Sequence, residues 1–423
     1  AGMRYLLLQI GSGVILLLGI LINIHQTGSI AITTMSLESL ASWLILLALG
    51  VKCAFPFLHT WLTDAYPEAT PTGTVFLSAF TTKVAVYALA RTFPGAEVLI
   101  YIGATMAMFP IFFAVIENDL RRVLAYSLIN QVGFMVVGIG IGTELAINGA
   151  VSHAFNDVIF KGLLFMTMGA VLHRTGKING SELGGLYKSM PWTTGFCIVG
   201  AASISAFPLF SGFVSKSMVM VAALEEGHSI VWLMLLFASA GVFHHAGIKI
   251  PFFAFFAHDS GIRTKEAPWN MLIAMGFASA LCIFNGSYPA VLYSLLPYQV
   301  DYVPYDGTHV LAQMQLLFFS ALAFVWLQRT GLYPPELMSV NLDSDWFYRH
   351  LLKRLIQRVG NKIGQVNHQL NNQLINVKRL VTRYLQHYFS PTSLFGGTVK
   401  TGVAVAWISV ILLIVLLVAF LNT

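Results

Sequence analysis

Five lysines lie inside long apolar stretches, where an ammonium group is costly to place: Lys52, Lys83, Lys161, Lys216 and Lys249. An ionisable side chain within a membrane-spanning helix costs about 2.5–3.5 kcal/mol on insertion scales. Desolvation favours the neutral amine and a nearby carboxylate favours the ammonium, so a buried lysine can gain or lose a proton when its partner moves. We therefore predict proton translocation at the first four. Lys249 lies near a helix end and could instead extend to the membrane surface.

Four histidines share the predicted helices with these lysines: His59, His153, His244 and His245. Imidazole titrates near neutral pH, which suits it to carry protons between lysines. A single hydrogen bond could equally hold each ring, so the sequence leaves both roles open. His244 and His245 are adjacent and point in different directions on a helix, which makes them poor joint metal ligands.

His153, Asp157 and Lys161 follow one another at steps of four. Residues at this spacing lie on one face of a helix. They could form an internal ion pair that neutralises its own burial, or one segment of a relay, and the two roles are compatible. We predict six auxiliary relay residues in all: His59, His153, Asp157, His244, His245 and Lys249.

The composition indicates that these residues belong to a membrane protein. Hydrophobic residues make up 57% of the 423 residues and charged residues only 10%, against about 25% charged in a typical soluble domain. The apolar runs are continuous over about 20 residues, which predicts spanning helices and not barrel strands. The sequence therefore predicts an all-α polytopic membrane protein with about eleven spans. The predicted spans are 5–24, 36–60, 71–92, 95–116, 120–141, 144–173, 191–225, 230–257, 269–288, 309–328 and 402–421.

Two of the predicted spans contain a proline near a lysine. Lys52 precedes Pro56, and Lys216 follows Pro208 and Gly212. Proline removes a backbone donor and crowds the preceding turn, so both helices should be broken within the membrane. Transporters place such breaks at their ion sites.

The lysines of the two broken helices are each followed by another lysine in the next helix. The interval is 31 positions from Lys52 to Lys83 and 33 positions from Lys216 to Lys249. This spacing is typical of a structural repeat of two related halves.

A basic stretch from about 344 to 389 has a different pattern. It has no acidic residue after Asp345, and its apolar residues recur at steps of three and four. This periodicity predicts an amphipathic helix that lies along a membrane surface or along neighbouring subunits.

Other chemistries lack a motif in this sequence. It has no glycine-rich phosphate loop, no clustered Cys/His set and no nucleophile elbow. Its three cysteines, Cys53, Cys197 and Cys282, are far apart in apolar runs. Much of the net charge of +6 falls in the basic C-terminal stretch. We therefore expect no catalytic residue, cofactor, metal or nucleic-acid partner.

Four blocks of the sequence share the pattern of a known family. They are Lys52–Thr72, with the sequence KCAFPFLHTWLTDA at its start, Asp119–Phe134, His153–Phe165 and Pro208–Lys216. Over about residues 1–290, the chain resembles the proton-conducting membrane subunits of respiratory complex I and their relatives in multi-subunit (Mrp-type) cation/proton antiporters.

The resemblance implies two inverted repeats of five helices, each with a broken helix. Residues 1–92 would be the remainder of the first repeat, which implies five further helices upstream and, on one of them, a glutamate that partners Lys52. Residues 93–260 would form the second repeat. The remaining segments would be additional spans (261–340), a basic lateral helix (341–390) and a final span (391–423).

By motif position, Lys52 and Lys216 correspond to the family's lysines on the two broken helices. Lys83 and Lys161 correspond to the central and connecting relay positions. Two departures stand out: Asn156-Asp157 lengthens the interval before Lys161, and Gln131 stands where some members have histidine.

Two features bear on the branch of the family. The runs 241–259 and Asp345–Arg349 are similar to D-type antiporter subunits, whereas the amphipathic stretch with a final span is similar to the distal complex I subunit. We favour the D-type antiporter grouping.

The sequence thus predicts a non-enzymatic subunit of a cation/proton antiporter complex. It would translocate H⁺, in exchange for Na⁺ or another monovalent cation, beside other membrane subunits in the plasma (inner) membrane of a prokaryote. One alternative is a proton-pumping membrane subunit of an NADH-quinone oxidoreductase-like or membrane-hydrogenase complex. Another is a structural scaffold, whose lysines would tolerate glutamine.

Overall fold

The computed structural model describes residues 1–339, 341–391, 393 and 396–421. The regular structure of these residues is helical, and within them strand-like pairing is confined to one isolated bridge between Asp119 and Asn179. The chain divides into two compact units, Ala1–Asp345 and Trp346–Thr423.

The first unit contains the helices that position the lysines. In chain order they are α1 (Gly2–Thr27), α2 (Leu40–Lys52), α3 (Thr60–Glu68), α4 (Gly73–Thr92), α5 (Glu97–Ile116), α6 (Leu120–Ile141), α7 (Glu144–Thr175), α8 (Pro191–Ile204), α9 (Ser211–Glu225), α10 (Ser229–Phe256), α11 (Trp269–Ser287), α12 (Pro289–Tyr293) and α13 (Gly307–Thr330). Two short 3₁₀ turns, Gly180–Glu182 and Leu186–Lys188, follow α7.

The predicted spans are confirmed by the described residues, nine of them as continuous helices long and apolar enough to cross a membrane. The other two, 36–60 and 191–225, are the helices that the prolines predicted to be broken. The second divides into α8 and α9. In the first, α2 ends at Lys52 and α3 begins only at Thr60, so the helix that follows the break lies beyond the predicted span. The chain is therefore an all-α polytopic membrane protein.

Helix α6 lies at the centre of the bundle, where 94% of its 18-residue apolar stretch is buried. Asp119 starts it by accepting hydrogen bonds from the backbone N–H groups of Arg121 and Arg122, which leaves fewer amide groups unsatisfied at that end. Helix α5 packs closely against it: a Cβ on Gly103 would lie 2.6 Å from the Val137 nitrogen, and one on Gly133 would lie 2.5 Å from the Ala107 nitrogen. Without these two glycines, the two backbones could not approach so closely.

Both helix breaks use the same backbone conformation. Ala54 and Phe57 have φ angles of 61° and 67°, and Ala206 and Leu209 have φ angles of 57° and 72°. Within the described part of the chain, these four are the non-glycine residues with positive φ, a conformation that L residues rarely adopt. The four residues at each break have the sequence Ala-Phe-Pro-Phe or Ala-Phe-Pro-Leu. The two breaks therefore share a local sequence and a local structure, in addition to the lysine spacing.

The helices that follow the two breaks share a second irregularity. A π-helical segment, Leu77–Thr81, ends just before Lys83, and another, Phe243–Ile248, ends just before Lys249. A π segment shifts the register of the helix and is frequent at functional sites. Each lysine thus lies within two residues of the end of a π segment.

Gly212 allows the second break to close, which gives a testable expectation. A Cβ at this position would collide with the carbonyl oxygen of Ser203. We expect Gly212→Ala to destabilise the protein by about 1–3 kcal/mol through overpacking, measured as a lower thermal midpoint in detergent. Gly195→Ala on α8 is the matched control, because a Cβ there has no neighbour within 4 Å. An unchanged midpoint for Gly212→Ala would show that the break can relax around a side chain.

The second unit consists of a π segment, Phe347–Leu352, followed by α14 (Lys353–Phe389) and α15 (Thr401–Leu421). The long α14 has apolar residues along one side and basic or amide residues along the other, as its periodicity predicted. Its binding to lipid or to neighbouring subunits stays a prediction.

Candidate functional site

Lys83 and Asp157 form the buried ion pair of the candidate site. Lys83 Nζ lies 2.5 Å from Asp157 Oδ2, and the two side chains are 8% and 0% exposed. Lys83 also donates a hydrogen bond to the Ser78 carbonyl at 3.0 Å, an oxygen within the π segment. The pair joins α4 to α7, so the internal pair between Asp157 and Lys161 that the spacing suggested is not formed.

Lys161 instead contacts α6. Its Nζ donates to Ser127 Oγ at 2.8 Å, and its side chain is fully buried. Asp157, Lys83 and Lys216 are near enough to interact electrostatically with its charge. Three lysines therefore share the field of one aspartate, which can compensate fully for only one ammonium at a time.

His153 links the middle of this cluster to the second broken helix. Its Nδ1 lies 3.1 Å from Ser215 Oγ, and its Nε2 lies 3.1 Å from Gln131 Oε1. Gln131, which stands where a histidine was expected, donates in turn to Asn130 Oδ1 at 2.7 Å. A chain of hydrogen-bonding side chains thus connects α6, α7 and α9.

Lys216 lies at the second break. Its Nζ donates to the carbonyl of Ile204, the last residue of α8, at 3.0 Å and lies 5.1 Å from the centre of the Phe134 ring. Gln313 from α13 donates to the next carbonyl, Ser205, at 3.2 Å. Both donors satisfy oxygens that the break frees, at the negative end of the α8 dipole.

At the first break the lysine precedes the proline, whereas at the second break the lysine follows it. Lys52 is the last residue of α2 and precedes Pro56 by four positions. The residue four positions before Pro208 is Ile204, whose carbonyl Lys216 reaches from the other half of its helix. An ammonium group therefore lies beside each break, although the two lysines occupy different positions in the repeat.

Lys52 is less enclosed than expected. It is only partly buried, and its Nζ donates to Gln9 Oε1 of α1 at 3.0 Å. Gln9 is a neutral partner that the sequence analysis missed. The predicted glutamate partner of Lys52 stays a prediction.

Lys249 is fully buried and does not extend to the surface. Its Nζ contacts Glu336 Oε1 at 2.9 Å and the carbonyl oxygens of Ala114, Val115 and Glu117 at 3.3, 2.7 and 2.7 Å. Those carbonyls are at the C-terminal end of α5, where a cation is favourable. With this many acceptors around it, the ammonium group has a firmly fixed position.

His244 and His245 differ from the other histidines. Their ring nitrogens are buried without hydrogen-bond partners in the described part of the chain. His244 packs against Phe324 and Tyr333, with ring centres 5.1 and 5.5 Å apart. Their predicted relay role stays a prediction.

His59 has a partner that no local pattern could reveal. Its Nε2 lies 3.1 Å from Asp343 Oδ2, and the two side chains are 3% and 8% exposed. Asp343 also accepts from the Tyr126 hydroxyl at 2.8 Å. Burial alone would raise the pKa of Asp343, but the hydrogen bond from His59, together with those from the Ser344 N–H and the Tyr126 hydroxyl, holds this pKa below its usual value.

The donor types around the lysines fit proton exchange. Within the described ranges, no group of three or more His, Cys, Asp or Glu residues could hold a metal ion. The additional polar residues, Ser127, Gln131, Ser215, Glu336 and Asp343, lie on other helices or after α13. Ser127, Gln131 and Ser215 lie within the family blocks of the sequence, whereas Glu336 and Asp343 had no such signal.

The sequence profile described as NADH:quinone oxidoreductase/Mrp antiporter, TM, matches residues 1–284. The chain belongs to this family. The chain is 28% identical over 325 residues to hydrogenase-4 component B of Escherichia coli K12, covering 67% of this chain and 48% of that protein. It is 32% identical over 322 residues to the A-type subunit of the Na⁺/H⁺ antiporter of Alkalihalophilus pseudofirmus, covering 68% and 39%. The chain thus spans about half or less of these relatives.

Two solved structures have the same fold. A chain of the Mrp complex from Dietzia sp. DQ12-45-1b gives a TM-score of 0.64 at 22% identity, covering 76% of this chain and 69% of that one. A chain of the membrane-bound sulfane sulfur reductase, an archaeal respiratory membrane complex, gives 0.66 at 24% identity, covering 98% and 76%. Relatives include both A-type and D-type subunits of Na⁺/H⁺ antiporters, so the D-type grouping stays a prediction.

Proposed function

We propose that this family member is a proton-translocating membrane subunit of a multi-subunit cation/proton antiporter, exchanging H⁺ for Na⁺ or another monovalent cation. The observation that carries the proposal is the buried series Lys83–Asp157, Lys161, His153 and Lys216, in which three amines compete for one carboxylate. A scaffold needs no such excess of buried amines, because one ion pair neutralises itself.

Proton movement follows from the geometry of Asp157. When Asp157 pairs with Lys83, the ammonium form of Lys83 is favoured, and Lys161 and Lys216 have only neutral hydrogen-bond acceptors. Bringing Asp157 toward Lys161 would reverse this preference, so that one amine releases a proton as the other takes it up. His153, between Gln131 and Ser215, could carry the proton toward Lys216.

The apolar surface of the spans supports partners within the membrane. Only 11% of the 18-residue apolar stretch of α1, and 11% of that of α13, is buried within this chain. Such helices must face lipid or other membrane subunits. We propose that both surround this chain in the plasma membrane of a prokaryote.

A second candidate function is a proton-pumping subunit of a redox complex. It is favoured by the relatives named as hydrogenase-4 component B and as the N-type subunit of NADH-quinone oxidoreductase. In that case the same lysines would translocate protons, but oxidation–reduction elsewhere in the complex would drive them.

Purification of the full complex distinguishes these functions. We would tag the protein, extract it in mild detergent, identify the co-purifying subunits by mass spectrometry and reconstitute the complex in liposomes. An antiporter predicts small hydrophobic subunits and a pH gradient that an added Na⁺ or K⁺ gradient generates. Co-purifying iron–sulfur or flavin subunits, with proton uptake only on addition of an electron donor, would contradict cation exchange.

A further inference from the structure

The segment after α13 crosses the end of the bundle where Lys249 lies. We call residues 332–339 and 341–345 the connector. Glu336 of the connector pairs with Lys249 at 2.9 Å, and Asn341 donates to Glu117 Oε2 at 3.1 Å. Two polar contacts, one to α10 and one to the turn between α5 and α6, thus fix the path of the connector before it reaches His59.

Asp343 of the connector is held as a hydrogen-bond acceptor on both oxygens. Oδ2 faces His59 Nε2 and the Tyr126 hydroxyl, and Oδ1 accepts from the backbone N–H of Ser344 at 2.5 Å. An ionised carboxylate can only accept hydrogen bonds, so His59 must carry a proton on Nε2 in this arrangement. The contact joins residues 284 positions apart.

The other nitrogen of His59 is not engaged by Asp343. Nδ1 is buried and has no hydrogen-bond partner in the described residues. With Nε2 protonated and facing Asp343, Nδ1 carries the free lone pair of the neutral ring. A carboxylate in this position fixes the tautomer of a histidine and stabilises the imidazolium that forms when the ring takes up a proton.

We propose that Asp343 is a positioning residue for proton transfer at His59, where the connector completes a carboxylate–histidine pair. The proposal rests on the proton-translocating function proposed above. A hydronium ion gives a proton to Nδ1 and leaves as water, which converts the ring to the imidazolium whose charge Asp343 offsets. A water molecule then takes the proton from Nδ1 and restores the neutral ring, while the proton on Nε2 stays hydrogen-bonded to Asp343 throughout.

Two substitutions of Asp343 separate this role from a structural one. Asp343→Asn keeps the size and a hydrogen-bond acceptor but loses the negative charge, whereas Asp343→Glu keeps the charge but changes the length. If the contact is only structural, the asparagine variant should keep more proton flux than the glutamate variant. If Asp343 positions His59 through its charge, the glutamate variant should keep more. We would measure proton flux with a pH-sensitive dye in liposomes containing the whole complex, with Asp301→Asn, at an exposed loop residue, as the matched control.

We expect Asp343→Asn to reduce the proton flux by about 100-fold, the scale of a positioned proton-transfer group. Asp343→Glu should restore most of it, and Asp301→Asn should match the wild type. Flux with asparagine equal to or greater than flux with glutamate would overturn the proposal.

A second variant tests the proposal if Asp343→Asn fails to assemble. His59→Gln keeps Asp343 and the connector but removes the titrating ring, so we expect a similar loss of flux in an assembled complex. Wild-type flux in His59→Gln would overturn the proposal. If the wild-type complex itself moves no protons, the proposed function fails instead, which keeps the two failures distinct.

Discussion

Replacing Lys216 by alanine should abolish proton translocation while the complex still assembles. The side chain supplies the amine at the second break, and its hydrogen bond to the Ile204 carbonyl can be taken over by water. We expect proton flux to fall by about 100-fold or more, the scale of a positioned proton-transfer group, because Lys216 supplies the amine at this break. Lys52→Ala at the first break should have the same effect.

Proton flux in liposomes and size-exclusion chromatography of the complex would together check this result. Lys265→Ala is the matched control, because Lys265 is exposed between α10 and α11. Wild-type flux in both Lys52→Ala and Lys216→Ala would rule out these residues as the charge-switching sites.

Asp157→Asn should strongly destabilise the protein. Lys83 Nζ, 2.5 Å from Asp157, would become a buried ammonium group without a counter-charge. Breaking a buried ion pair from one side typically costs about 3–5 kcal/mol. Lys83→Met added to Asp157→Asn should recover most of the lost stability, because the unpaired charge is removed.

Thermal unfolding in detergent of the wild type, both single variants and the double variant completes this cycle. Coupling of the two residues would be confirmed if the double variant is more stable than the sum of the two single losses predicts. The double variant should nevertheless remain inactive, since it lacks the carboxylate for which the amines compete. Additive losses of stability would contradict a direct pair between Lys83 and Asp157.

The sequence was sufficient to predict the helices and the two breaks. Hydropathy over about 20 residues is a local property, and so is the effect of Pro56 or Pro208 on its own helix. The basic helix α14 could be predicted for the same reason, because its periodicity lies within one segment.

The partners of the lysines could not be predicted, because they depend on how helices pack. The four-residue step favoured a pair between Asp157 and Lys161, yet Asp157 faces Lys83 on α4. The π segment before Lys83 shifts its register in a way that hydropathy does not reveal. Asp343 and Glu336 belong to the connector, whose path across the bundle is set by tertiary contacts.

Substituting Lys161 by glutamine provides the most direct test of proton translocation by buried amines. Glutamine can still donate a hydrogen bond to Ser127 Oγ, the contact that Lys161 makes at 2.8 Å, but it cannot exchange a proton. We would compare the proton flux of the purified complex in liposomes with and without Lys161→Gln. A loss of flux in a fully assembled complex is the result that we predict. Undiminished flux would show that Lys161 only packs and forms a hydrogen bond within the bundle. It would contradict a lysine relay through this chain.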